Sequence, residues 1–392
     1  MAAGFDVQAA TDAWLARLPA AERLAAQAAT DARLIGWIAG VLVFLAAAAL
    51  VTRLGLVAQL TKHLETGGQR PWLASAAAAA VTALALASAK AVVDATTAWR
   101  VEAILAGPGG AAATGWPAHL AAAVAGVPTA VVAAILILPP SAWLMRRAPR
   151  RWPLIVGPTA LALILALGWL PYALSVGADA GPAPPGPAQA GVARLVAETQ
   201  LPAPAVTQAA NPGLDADVTG GFGHARVVVG PRLLAGPPAE ARAYVGHLIG
   251  HYAHNDILFV CLVLGAVAWA GCWAAQAWTA PLARAMGATQ ARGPADPTAT
   301  PALAVIGAAT VTLAALAGAA YLRWANVGAD AYSLEHAREP DGLVAVIEDE
   351  WGRDRDRDSA TPSALETVLF YSHPSLKDRI AHATAWKAAH PG

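Results

Sequence analysis

The chain has 392 residues, of which 57% are hydrophobic and 13% are charged, and its formal net charge is +0. Soluble globular proteins carry about 25% charged residues, so this composition excludes an ordinary soluble domain and predicts a membrane protein. Because positive and negative charges balance, no general attraction to nucleic acid is expected.

Six apolar runs approach or reach the length of about 20 residues that a helix needs to cross a bilayer. We expect each run to form a transmembrane helix surrounded by membrane lipids. The first four would make up an N-terminal membrane region over residues 1–176. The six runs cover residues 34–51, 72–93, 118–138, 153–176, 256–279 and 301–322.

A polar block follows the fourth run. Residues 177–190 are rich in proline and glycine and predict a linker that forms neither helix nor strand. Residues 191–255 predict the first part of a folded domain. Within it, residues 225–229 favour a short β segment, and residues 237–255 favour a helix that starts after two prolines.

The last two apolar runs predict a transmembrane hairpin over residues 256–322. A hairpin returns the chain to the side of the membrane from which it entered. A second polar block over residues 323–392, mainly helical by its pattern, can therefore meet the block at 191–255. The two blocks would then form one split domain.

Two histidines in the predicted helix at 237–255 indicate a metal site. His247 and His251 lie four residues apart, hence on one helical face, and can bind one metal ion. In the His-Glu-x-x-His motif of zinc metallopeptidases, a glutamate follows the first histidine and takes a proton from the metal-bound water. Leu248 stands at that position and cannot accept a proton.

Three further motifs accompany the histidine helix: a glycine-led segment at 218–229, the segment 323–331, and Ser-His-Pro-Ser-Leu-Lys-Asp-Arg-Ile at 372–380. With the Gly-His-Tyr-Ala-His-Asn sequence at 250–255, their order and spacing resemble the integral-membrane zinc metallopeptidases of the type I CAAX prenyl protease and HtpX family. The resemblance covers about residues 195–385. It implies a mainly α fold, a multi-pass bundle of about six spans with a split, gluzincin-type metallopeptidase domain containing a short β segment.

The resemblance also implies roles for single residues. His247 and His251 match the first two zinc ligands, and Asn326 stands where the family has a glutamate as third ligand. Asp330 matches an acid that accepts a hydrogen bond from a ligand histidine, at the ring nitrogen that does not bind the metal. Since a neutral amide oxygen is a poor zinc ligand, we expect zinc to bind weakly or not at all.

The C-terminal motif matches a pair near the family's active site. By this resemblance His373 would help to stabilise the oxyanion, and Arg379 would lie beside it. Leu248 would occupy the general-base position without acting as a base. The family further implies a multi-pass protein of the bacterial inner membrane that acts on membrane-associated or lipidated proteins or peptides.

His254, Glu335 and Asp330 are the candidate substitutes for the missing acids. His254 lies about 10.5 Å along the helix axis from His247, at 1.5 Å per residue, so the three histidines cannot share one ion. Glu335 lies more than two turns beyond the position of the third ligand. Either Glu335 or Asp330 would have to reach the bound water in a working enzyme.

Three functions remain open at this point. The leading interpretation is a pseudoenzyme, a membrane-embedded metallopeptidase-like protein with impaired catalysis that keeps a substrate-binding or regulatory role. The first alternative is an active zinc metalloendopeptidase with a substitute acid, acting on membrane-associated or lipidated substrates. The second alternative is a non-enzymatic membrane scaffold.

Overall fold

The computed structural model describes residues 6–66, 71–107, 114–175, 179–203, 205–354 and 359–390. Within these residues the chain forms fifteen α-helices and four strands. The helices are Val7–Leu15 (α1), Ala20–Arg53 (α2), Leu56–Thr66 (α3), Pro71–Ala106 (α4), Trp116–Arg147 (α5), Trp152–Ile164 (α6), Leu170–Ala173 (α7), Pro187–Glu198 (α8), Pro231–Ala235 (α9), Pro238–His254 (α10), Asp256–Met286 (α11), Thr300–His336 (α12), Pro340–Asp354 (α13), Ala364–Phe370 (α14) and Leu376–Ala389 (α15). The strands are Asp179–Pro182 (β1), Val206–Ala209 (β2), Ala216–Thr219 (β3) and Arg226–Val229 (β4).

Six helical stretches are long and apolar enough to cross a membrane, counted over the described part of the chain. A π-helical turn at Leu165–Trp169 joins α6 and α7 into one of them. The prediction of a mainly α, multi-pass protein is therefore confirmed. The stretches are Ala20–Arg53, Pro71–Ala106, Trp116–Arg147, Trp152–Ala173, Asp256–Met286 and Pro297–His336.

The chain divides into two compact units, and one of them holds most of the membrane helices. It comprises residues 28–161 and 265–315. Its helices pack closely through glycines: a Cβ atom at Gly157 would overlap the ring of Trp269, and one at Gly271 would overlap Thr310. Small residues at such contacts are how membrane helices gain packing without a hydrophobic driving force.

The other unit comprises residues 1–27, 162–264 and 316–392. It contains a four-stranded sheet in the order β1-β2-β4-β3, in which β2 and β4 run parallel and β3 is an antiparallel edge strand. The predicted β segment is thus β4, next to the edge strand β3. Buried side chains from the sheet and from α8 and α10 form one apolar cluster, which includes Val192, Leu195, Val227, Val229, Val245 and Ile249.

The prediction of an irregular linker at 177–190 was wrong for its described part. Asp179–Pro182 is a strand paired with β2, and α8 begins at Pro187. Both prolines stand where their missing N–H is tolerated. Pro182 lies on an edge strand, and Pro187 is the first residue of a helix.

A second apolar cluster joins the N-terminal helix to the C-terminal block. Leu15 and Leu18 pack with Leu343, Ile347 and Ile380, on α13 and α15. The sequence predicts α1 as part of the N-terminal membrane region. In the structure the described residues up to Gln27 group instead with the unit that holds the sheet, because their apolar side chains are buried there.

Candidate functional site

Helices α10 and α12 approach each other at backbone distance. A Cβ atom on Gly250 would lie 2.8 Å from the Cα of Ala329, and one on Gly246 would lie 3.0 Å from the Oγ of Ser333. The Ser333 hydroxyl also donates to the carbonyl of Ala243 at 2.7 Å. Each of these glycines directly precedes one of the paired histidines. The close contact brings the histidine helix against the segment that carries Asp330.

The two histidines are held in the same way. Asp330 Oδ1 accepts a hydrogen bond from His247 Nδ1 at 2.7 Å, and Asp256 Oδ2 accepts one from His251 Nδ1 at 2.8 Å. The two Nε2 atoms converge to 3.1 Å. A carboxylate on Nδ1 fixes the tautomer and leaves the Nε2 lone pair free for a metal. Two nitrogens about 2.0–2.1 Å from a tetrahedral zinc ion would lie about 3.3–3.4 Å apart, close to the separation seen here.

Both supporting carboxylates have further partners. Arg379 binds Asp330 with two hydrogen bonds, from Nε at 2.8 Å and from Nη2 at 2.9 Å, and its Nη1 donates to Glu350 Oε2 at 3.2 Å. Tyr321 donates to Asp256 Oδ1 at 2.7 Å. Asp330 is 2% exposed and Arg379 is 8% exposed. The paired geometry compensates for burying these charges.

Burial also sets the protonation of the site. It lowers the pKa of His247 below its ordinary value, and the hydrogen bond to Asp330 offsets this only in part. His247 is therefore neutral at neutral pH, as a metal-ligating imidazole must be. Burial alone would lower the pKa of Arg379, but the charges of Asp330 and Glu350 raise it, so the guanidinium stays charged.

A cavity of about 300 Å³ lies beside this network. His247, Asn326, His373 and Arg379 all line it, so the structure brings together four of the residues that the sequence analysis singled out. Its remaining walls are formed by Asp215, Tyr244, Ile347, Glu350, Trp351, Ser359, Tyr371, Pro374 and Leu376. The Nδ1 of His373 donates to the carbonyl of Pro374 at 3.1 Å.

Residues 184–387, more than half of the chain, match the model of peptidase family M48. The chain belongs to peptidase family M48. No curated protein matches the chain significantly. Peptidases of family M48 are generally membrane zinc metallopeptidases, which makes the imidazole pair the candidate metal centre of this M48 chain.

Asn326, which the resemblance places at the third-ligand position, holds its amide in a fixed orientation. Asn326 Nδ2 donates to the carbonyl of Leu322 at 2.8 Å and to that of Ser372 at 3.3 Å. Only the neutral Oδ1 remains for a metal. Within the described ranges, no group of three or more His, Cys, Asp or Glu side chains is placed to hold a metal ion. The residues present fit two of the three protein ligands that a catalytic zinc ion needs.

Leu248 stands at the position that the resemblance assigns to the general base. Leu248 is half-buried and packs against the apolar cluster of the sheet. The two carboxylates that touch the histidines, Asp256 and Asp330, bind them at Nδ1, the ring edge opposite the metal-binding Nε2. No role is therefore open to Asp330 as a base on the Nε2 side.

The other two candidate substitutes, Glu335 and His254, lie elsewhere. Glu335 is exposed and is not among the residues that line the cavity. His254 is also exposed, and its ring faces α12, with edge-on contact to Tyr332 at 6.2 Å between centroids. Both are helix-surface residues rather than replacements for a ligand or base.

Sequence reasoning missed Asp256 and Glu350. Asn255 has a left-handed backbone, with φ of 56°, which ends α10 and turns Asp256 back towards His251. A usable signal was present, since an acid at the start of an apolar span calls for a partner. Glu350 stands in a charged helical segment whose pattern gives no sign of a buried partner.

The zinc content of the purified protein tests whether the histidine pair of this M48 chain holds a metal ion. We expect wild-type protein purified without added zinc to carry well under one zinc ion per chain by elemental analysis. Asn326→Glu should raise the zinc content, because a carboxylate replaces a neutral oxygen. Asn326→Gln, which has the same length as glutamate without its charge, is the matched control and should not. Stoichiometric zinc in wild type that survives a mild chelator would contradict the expectation.

Proposed function

We propose that this chain is a CAAX-protease-like member of family M48 that binds membrane-associated or lipidated polypeptides without hydrolysing them efficiently. One observation carries the proposal. At the positions that match the family's general base and third zinc ligand, the chain has Leu248 and the neutral amide of Asn326. Among the described residues, the carboxylates that are hydrogen-bonded to the imidazoles, Asp256 and Asp330, bind at Nδ1.

The cavity beside His247 supports a ligand-binding role rather than that of a scaffold alone. The cavity beside His247 is lined by aromatic side chains, Tyr244, Trp351 and Tyr371, that can pack against an extended polypeptide. This lining is that of a groove that can still accept a ligand.

A binding assay tests the proposal. Wild-type protein in detergent should bind a fluorescent farnesylated peptide saturably, and mass spectrometry should recover the peptide intact. Asn326→Trp should weaken binding about tenfold or more, equivalent to about 1.4 kcal/mol, because the indole would fill the cavity beside His247. Glu335→Trp adds the same side chain to the exposed side of α12 and should leave the affinity unchanged.

The outcomes separate the three candidate functions. Rapid zinc-dependent cleavage by wild type would establish an active peptidase and sink the proposal. Absence of saturable binding, with Asn326→Trp and Glu335→Trp behaving alike, would favour the non-enzymatic scaffold.

A further inference from the structure

The loop between β3 and β4 carries an exposed aromatic side chain at its tip. Phe222 is 71% exposed and has a left-handed backbone with φ of 53°. A bulky residue rarely adopts this conformation unless surrounding contacts impose it. Contacts of the flanking residues with two other elements provide that constraint.

One side of the loop is fastened to the end of a membrane helix. The N–H of Gly220 donates to the carbonyl of Tyr172 at 3.0 Å. A Cβ atom on Gly221 would lie 3.1 Å from the Cβ of Ala173. Tyr172 and Ala173 form the last turn of the apolar stretch Trp152–Ala173.

The ring of Phe222 lies deeper than that last turn. Its centroid is 5.6 Å from that of Trp169, in an edge-on arrangement. Trp169 precedes Ala173 by one helical turn. The stretch Trp152–Ala173 has 22 residues and is about 33 Å long at 1.5 Å per residue, close to the hydrocarbon thickness of about 30 Å. Phe222 therefore lies about one turn inside the end of a span.

The other side of the loop is fastened to the histidine helix. The hydroxyl of Tyr252 donates to the carbonyl of His224 at 3.1 Å. Tyr252 lies in the last turn of α10, four residues before Asp256, where the next membrane helix begins. The loop is thus held between the ends of two membrane-spanning stretches.

We propose that the tip of the β3–β4 loop is inserted into the bilayer interface through Phe222, with membrane lipids as its ligand. Aromatic rings are favoured at this depth, whereas the same ring in water would be poorly solvated. The contact is additional to the six spans and involves the folded domain itself.

Nitroxide labels test the depth of the loop in the full-length protein reconstituted in phosphatidylcholine vesicles. Cys261→Ala with Cys272→Ala gives a cysteine-free background, into which Phe222→Cys is introduced. Leu167→Cys, 78% exposed within a span, is the lipid control. Glu348→Cys, exposed on α13, is the water control. Collision of each label with oxygen and with a water-soluble nickel complex reports depth.

We expect the label at 222 to match that at 167, with oxygen accessibility several-fold above that of the nickel complex. His224→Cys, at the same tip, supplies a second position and should give a shallower depth on the lipid side of the interface. Values at both positions closer to that at 348 would overturn the proposal. Nickel protection that also persists in detergent micelles without lipid, and disappears on dilution of the protein, would assign Phe222 to a protein partner and overturn it equally.

Discussion

Restoring two carboxylates should turn this chain into a zinc-dependent peptidase. We expect Leu248→Glu combined with Asn326→Glu to cleave a farnesylated peptide that wild type leaves intact. The first change supplies a proton acceptor at the position where the family has its general base, and the second supplies an anionic ligand. Product formation with and without chelator, followed by mass spectrometry, measures the effect.

The matched control keeps the shape and removes the base. Leu248→Gln with Asn326→Glu should bind zinc equally but react about 10²–10⁴-fold more slowly, the usual contribution of general-base catalysis. Leu248→Glu alone should gain less than the double variant, because the metal is then poorly held. Efficient cleavage by wild type that His247→Ala abolishes would refute the idea. Tight zinc binding without cleavage in the double variant would show that the groove itself has diverged.

Removing Arg379 should destabilise the folded domain strongly. Arg379→Met removes the guanidinium group that makes two hydrogen bonds to the buried carboxylate of Asp330. Breaking a buried ion pair by removing one partner lowers the free energy of unfolding by about 3–5 kcal/mol. Adding Asp330→Asn to Arg379→Met should recover part of this loss, because no unpaired charge is then buried. Thermal unfolding in detergent, monitored by tryptophan fluorescence, measures the order of the three proteins.

The same helix offers a control for loss of charge alone. Lys387 on α15 binds Asp341 at 2.6 Å, with the two side chains 54% and 79% exposed. Exposed pairs contribute about 0–1 kcal/mol, so Lys387→Met should shift the midpoint little. Equal shifts for Lys387→Met and Arg379→Met would show that the Asp330–Arg379 pair is not the source of the stability.

Much of this architecture could be predicted from the sequence. Apolar length alone indicates the six spans, because a bilayer imposes a minimum helix length. Helix α10 was predicted to within a residue or two, since Pro238 and Asn255 are strong terminal signals. The meeting of His247, Asn326, His373 and Arg379 at one cavity followed from the order of family motifs around a hairpin.

The rest depends on contacts between residues far apart in the chain. Nothing near Glu350 in sequence indicates that it would receive a hydrogen bond from Arg379. The pairing of β1 with β2 overrides a proline-rich composition that ordinarily predicts irregular structure. Burial of Leu15 and Leu18 depends on α13 and α15, which lie more than 300 residues away in sequence.

Asp256 belongs to two structures at once, since it is the first residue of the membrane helix α11 and the partner of His251 Nδ1. A helix that tilts to match a thinner bilayer carries its first residue with it. We therefore expect the orientation of the His251 imidazole to respond to the membrane as well as to the folded domain. Lipid acyl length then belongs among the conditions under which the metal affinity of the histidine pair is compared.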